Sequence, residues 1–189
     1  MTLLTAANQL TLLRLLLIPV FVLCMLYGMP GWALVTFGVA GATDALDGYI
    51  ARHTGPTTLG AWLDPMADKL LLVAMFVMLT LPGLHLANRL PLWLTVLVIS
   101  RDVAIVLTVA VFNFAVARRT FRPSLLGKAA TIIYVITGVV TLYANYRGEP
   151  SPVVQVCVYV SLAVTLLSGF DYVRRVTKGG SDTVDQGGT

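Results

Sequence analysis

The chain has 189 residues, 57% of them hydrophobic and 12% charged, with a mean hydropathy of +0.84. A soluble domain carries about 25% charged residues, so this composition excludes a soluble enzyme or binding module and implies an integral membrane protein. The net charge of +4 reads as interfacial anchoring to anionic lipid, and nothing in the sequence suggests nucleic-acid binding.

Apolar stretches long enough to cross a bilayer, roughly 20 residues each, are predicted at 10–28, 31–51, 58–81, 91–114, 125–146 and 152–174. The fold class is therefore all-α, a bundle of six transmembrane helices. Residues 1–175 are expected to form one catalytic domain, and 176–189, small and polar, a disordered cytoplasmic tail.

In the first stretch Arg14 interrupts the apolar run where a signal peptide would be purely apolar, so the helix is expected to be retained. Asn8, Thr11 and Arg14 are spaced to share a face near the cytoplasmic surface, either as a helix cap and a headgroup-snorkelling cation or as ligand groups. Turn chemistry then marks the breaks: Gly28-Met29-Pro30-Gly31, Thr54-Gly55-Pro56, Leu81-Pro82-Gly83, Arg122-Pro123-Ser124 and Gly148-Glu149-Pro150. Cys24 and Cys157 fall mid-span and read as packing residues. Lys and Arg concentrate at 52–57, 115–124 and the C-terminal end, which places both termini on the cytoplasmic side of the cell's inner membrane or its equivalent.

Four aspartates lie inside the second and third stretches. Asp44 and Asp47 are three apart and Asp64 and Asp68 four apart, so each pair shares a helix face. Counted from the turn near Gly55, both pairs fall on the order of 12–20 Å away along antiparallel helices, which gathers four carboxylates in one layer. Ionised carboxylates in hydrocarbon are costly and repel one another. Interhelical hydrogen bonds or a carboxylate–Arg lattice are the alternative, but Arg52 and Lys69 are too few to neutralise four acids, so bound cations are expected. Hard oxygen ligands without cysteine, and with histidine only at His53 in the loop, select Mg²⁺, Mn²⁺ or Ca²⁺ over zinc or copper, with Mg²⁺ the usual occupant where phosphate oxygens also bind. Two such ions would form a clamp for displacement at phosphorus.

The residues around the acids extend the pattern. Gly41, Ala42, Ala45, Gly48 and Ala51 thin the second helix, and Gly60 and Ala61 the start of the third. The run Asp44-x2-Asp47-Gly48-x2-Ala51-Arg52-x7-Gly60-x3-Asp64-x3-Asp68 resembles the complete signature of the CDP-alcohol phosphotransferase family. The six predicted spans and their basic loops resemble that family over about residues 8 to 175.

The resemblance implies transfer of a phosphatidyl group from CDP-diacylglycerol, or of a related substituted phosphate from a CDP-linked donor, to an alcohol, with release of CMP. It implies that Asp44, Asp47 and Asp64 hold two divalent ions and that Asp68 completes the metal site and acts as general base. Gly48, Ala51, Arg52 and Gly60, with Asn8, Thr11 and Arg14, would bind the CDP-lipid. It also implies a homodimer through membrane helices.

Within the family, Asn8-x-Leu10-Thr11-x2-Arg14 and Leu63-Asp64-Pro65-Met66-Ala67-Asp68-Lys69 resemble enzymes of anionic glycerophospholipid synthesis. Ile99-Ser100-Arg101-Asp102 is similar to the CMP-forming cardiolipin synthases, whose acceptor is phosphatidylglycerol. Ala129-Ala130 after Gly127-Lys128 departs from the phosphatidylglycerophosphate synthases, whose acceptor is glycerol-3-phosphate. Arg101, deep in its span, needs an anion, which is Asp102, a motif aspartate or the acceptor's phosphate. Lys128 serves the same phosphate or snorkels. A reading from another class, a divalent-cation transporter, predicts acids spread through the membrane depth and a repeated half, neither of which the sequence has.

Overall fold

The computed structural model describes the backbone of residues 6–54, 60–115 and 125–181, and the side chains within 9–44, 46, 66–107 and 126–171. The described residues form six helices and no strand: α1 (Ala6–Leu26), α2 (Pro30–Thr54), α3 (Gly60–Thr80), α4 (Leu92–Ala115), α5 (Leu125–Arg147) and α6 (Pro152–Ser181). Each coincides with a predicted span to within a few residues, except that α6 runs on to Ser181, beyond the expected start of the tail at 176. Its last turns carry Arg174, Arg175 and Lys178, cations that suit the negative end of a helix dipole. The last eight residues lie outside the described residues.

By length and composition Gln9–Leu26, Leu126–Arg147 and Pro152–Asp171 each suffice to cross a membrane. α2, α3 and α4, with 25, 21 and 24 residues, also reach the roughly 30 Å of a hydrocarbon core. Leu16, Leu23, Val106, Leu166 and Phe170 are half or more exposed along these helices. An apolar surface of that extent belongs in lipid.

The ends of α1 and α5 show why the chain turns where it does. Gly28 adopts φ 68° and Gly148 φ 71°, the left-handed conformation that glycine reaches without steric cost. At Gly28 the N–H bonds the Met25 carbonyl at 3.1 Å and the Met29 N–H bonds the Cys24 carbonyl at 2.8 Å, a Schellman cap that closes α1. At Gly148 the N–H bonds the Asn145 carbonyl at 3.1 Å.

The contacts divide into two compact units, Met1–Leu90 with Gly138–Val154, and Pro91–Thr137 with Gln155–Thr189. In the first, α1 packs on both α2 and α3. Phe21 and Phe37 meet with ring centroids 6.2 Å apart at 58°, and Met25, Ala40, Met75, Phe76 and Leu79 complete a buried core. An ideal Cβ on Gly138 of α5 would overlap the end of the buried Met75 side chain, so only glycine admits that approach to α3.

One corner of this unit is pinned by polar groups. Asn145 of α5 accepts from the Asn88 N–H at 2.8 Å and donates to the Asn88 carbonyl at 2.9 Å. The Asn88 side chain donates to the Glu149 carbonyl and accepts from the Ser151 N–H, each at 2.7 Å.

In the second unit a ladder of hydroxyls joins α5 to α6. Tyr134 pairs with Thr165 at 2.7 Å and Thr137 with Ser161 at 2.8 Å, all buried. In an apolar surrounding each hydroxyl needs such a partner.

Candidate active site

α2 brings Asp44 and α3 brings Asp68 to one guanidinium on α1. Arg14 meets Asp44 Oδ1 through NH2 at 2.9 Å and donates to Asp68 Oδ1 through NH1 at 2.6 Å. The Arg14 side chain is 0% exposed, whereas those of Asp44 and Asp68 are 49% and 48% exposed. The cation therefore sits behind the acids, and the acids face outward. A planar guanidinium suits this task because its forked donors can serve two carboxylates at once.

Two expectations about Arg14 change with this geometry. It does not snorkel to headgroups, because its side chain is fully buried. It also supplies a counter-charge to the aspartates that the count of Arg52 and Lys69 left out. The spacing of Asn8, Thr11 and Arg14 signalled a shared face, but the partners of that face lie on other helices and leave no mark in local spacing. Thr11, one turn before Arg14, is also fully buried. The side chain of Asn8 lies outside the described residues.

By helical register Asp47 follows Asp44 by about one turn of α2, and Asp64 precedes Asp68 by about one turn of α3. The side chains of Asp47, Gly48, Ala51, Arg52, Gly60 and Asp64 lie outside the described residues, as do those of His53 and Trp62. Among the described residues no group of three or more His, Cys, Asp or Glu side chains assembles. A Cβ at Gly38 or Gly41, within two turns of Asp44, would meet nothing within 4 Å, so α2 is open on those positions.

The donor chemistry fits a hard divalent cation. Asp44 and Asp68 offer half-exposed carboxylate oxygens from two helices, the ligand type that Mg²⁺ and Mn²⁺ prefer.

Arg101 and Asp102, adjacent on α4, are both nearly buried, with side chains 8% and 9% exposed. Arg101 donates through NH1 to Asp102 Oδ1 at 2.8 Å and through NH2 to Ser168 Oγ of α6 at 2.7 Å. Of the three anions considered for Arg101, the structure supplies Asp102. Ser168 was not singled out in the sequence, since a serine in an apolar helix gives no sign of its partner 67 residues away. Lys128 near the start of α5 is exposed. An open apolar groove of about 600 Å³, lined by Met29, Pro30, Trp32, Val35 and Tyr146 among others, holds no carboxylate or cation and involves the opposite end of α2 from the acids.

Comparison with known proteins bears on these groups together. The family model described as CDP-alcohol phosphatidyltransferase matches residues 4–167. The chain is 36% identical over 183 residues to a probable phosphatidylglycerophosphate synthase of Mycobacterium tuberculosis, covering 91% of this chain and 81% of that protein. It is 36% identical over 138 residues to a CMP-forming cardiolipin synthase of Streptomyces coelicolor, covering 68% of this chain and 60% of that protein. Against a CDP-diacylglycerol–glycerol-3-phosphate 3-phosphatidyltransferase of Bacillus subtilis, identity is 31% over 183 residues, 87% of this chain and 91% of that protein.

Proposed function

The chain belongs to the CDP-alcohol phosphatidyltransferase family, and from that premise we propose that it transfers the phosphatidyl group of CDP-diacylglycerol to phosphatidylglycerol, releasing CMP. A cation-transporting role is set aside by the family. The observation that carries the reading is the convergence of Asp44 and Asp68, half-exposed carboxylates from two helices, on one buried guanidinium.

In this reading Asp44, Asp47, Asp64 and Asp68 hold two divalent ions, Mg²⁺ or Mn²⁺. When bound, the ions neutralise charge on the diphosphate and on departing CMP. The acceptor hydroxyl is a weak nucleophile at neutral pH, so Asp68 takes its proton as the oxygen attacks phosphorus and the bond to CMP breaks. Arg14 fixes Asp68 Oδ1 from behind, which leaves the outward part of the carboxylate for that task. Asn8, Gly48, Ala51, Arg52 and Gly60 border the CDP-lipid, with buried Thr11 packed behind the site rather than against the ligand. Residues 1–175 act as one catalytic domain, with both termini and the active site on the cytoplasmic side of the inner membrane and a homodimer as the assembly.

The choice of acceptor rests on Arg101. Its charge is already met by Asp102 at 2.8 Å, so it is poorly placed to bind the dianionic phosphate of glycerol-3-phosphate. The phosphodiester of phosphatidylglycerol carries a single charge and asks less of the pocket. The second reading, glycerol-3-phosphate as acceptor, is favoured by the greater coverage of the mycobacterial relative, 91% of the chain against 68% for the streptomycete cardiolipin synthase, with exposed Lys128 as a cation for its phosphate. Purified protein with Mg²⁺ and CDP-diacylglycerol, given each radiolabelled acceptor in turn, decides between them. Cardiolipin as product supports the first reading; phosphatidylglycerophosphate alone overturns it.

A further inference from the structure

Arg14 contributes charge as well as position. Two carboxylates carried by different helices repel when they approach one hydrogen-bonding group, and Asp44 and Asp68 are held at 2.9 and 2.6 Å by one guanidinium that solvent does not reach. A ligand arriving at the half-exposed acids meets the carboxylates before Arg14. The positive charge behind them attracts the acids and repels any cation that joins them.

We propose that Arg14 is a built-in counter-cation of the metal site, a positioning residue that keeps Asp44 and Asp68 assembled before a divalent ion binds and sets the affinity for that ion lower than four aspartates alone would give. The inference rests on the reading of the aspartates as metal ligands. It gives α1 a function in the site through the carboxylates, without contact with the reacting atoms. It also gives the ion an exchangeable hold: the acids do not collapse apart when it leaves, and they do not bind it too tightly to release it.

The sign of the effect on metal binding separates this role from a purely structural one. Removing a unit charge a few ångström from a divalent ion, at the effective dielectric of a protein site, should tighten binding by about tenfold or more. Mn²⁺ binding is measured by electron paramagnetic resonance on detergent-purified wild type, Arg14→Gln, Arg14→Lys and Asp44→Asn, with thermal stability in EDTA and in saturating Mn²⁺ alongside.

Arg14→Gln should bind Mn²⁺ about tenfold more tightly, and its stability deficit in EDTA should shrink when Mn²⁺ saturates the site. Arg14→Lys, which keeps the charge but reaches one carboxylate at a time, should leave Mn²⁺ affinity near that of wild type, and Arg14→Met serves as the neutral variant if Arg14→Gln does not fold. Unchanged or weaker Mn²⁺ binding in whichever neutral variant folds, or a stability loss equal with and without Mn²⁺, overturns the proposal. Wild type that binds no Mn²⁺, or binding untouched by Asp44→Asn, would instead remove the metal reading and this inference with it.

Discussion

Asn88→Ala should lower stability without altering chemistry. The substitution deletes two side-chain hydrogen bonds of 2.7 Å, to the Glu149 carbonyl and from the Ser151 N–H, at a residue that is 8% exposed. Each bond is worth about 1 kcal/mol net, and leaving the partner groups unsatisfied raises the total toward roughly 2–3 kcal/mol. For a chain of 189 residues, a change of that size shifts Tm downward by roughly 5–10 °C. Asn145→Ala removes the two bonds to the Asn88 backbone at 2.8 and 2.9 Å and should cost a similar amount. Because all four bonds close one corner, the double variant should lose less than the sum of the two.

Thermal unfolding in detergent measures the stability, and phosphatidyl transfer per folded molecule measures the chemistry. Turnover should be unchanged, since the stretch of α3 from Asp68 to its end at Thr80 alone spans about 18 Å. Tm values within about 1 °C of wild type, or full additivity of the two losses, would refute the reasoning.

Two further outcomes follow from the same geometry. Asp68→Asn should abolish turnover, by a factor on the order of 10²–10⁴, while the protein still folds; near-normal product formation in detergent with Mg²⁺ would remove the base assignment. Gly138→Ala should cost about 1–3 kcal/mol by overpacking against buried Met75, and Met75→Ala in the same chain should recover part of that loss in a thermal melt.

The helices were legible because each is an apolar run bounded by residues that end helices. Gly28 and Gly148, both in turn sequences, take the left-handed conformation that closes α1 and α5. The spacing of the acids was legible too: helix periodicity alone put Asp44 and Asp68 in a common layer, and the structure brings both to one guanidinium. What spacing does not encode is which helix stands beside which. Arg14 reaches Asp68 across 54 residues, Arg101 reaches Ser168 across 67, and Asn88 reaches Asn145 across 57. Each pairing is fixed by packing of whole helices. The reach of α6 to Ser181 differs from the expected tail at 176 because residues 176–189 are small and polar, yet the helix continues through Gly179 and Gly180.

The buried guanidinium of α1 also sets an order in time. An arginine centred in a lone helix costs about 3 kcal/mol to insert into a bilayer, and the carboxylates that offset Arg14 are made 30 and 54 residues after it. During synthesis α1 therefore keeps its cation near headgroups or translocon water, and it settles to full depth once α2 and α3 have emerged beside it. The setting of α1 is completed by the third helix, and a ribosome stalled before Asp68 leaves Arg14 with only one of its two carboxylates.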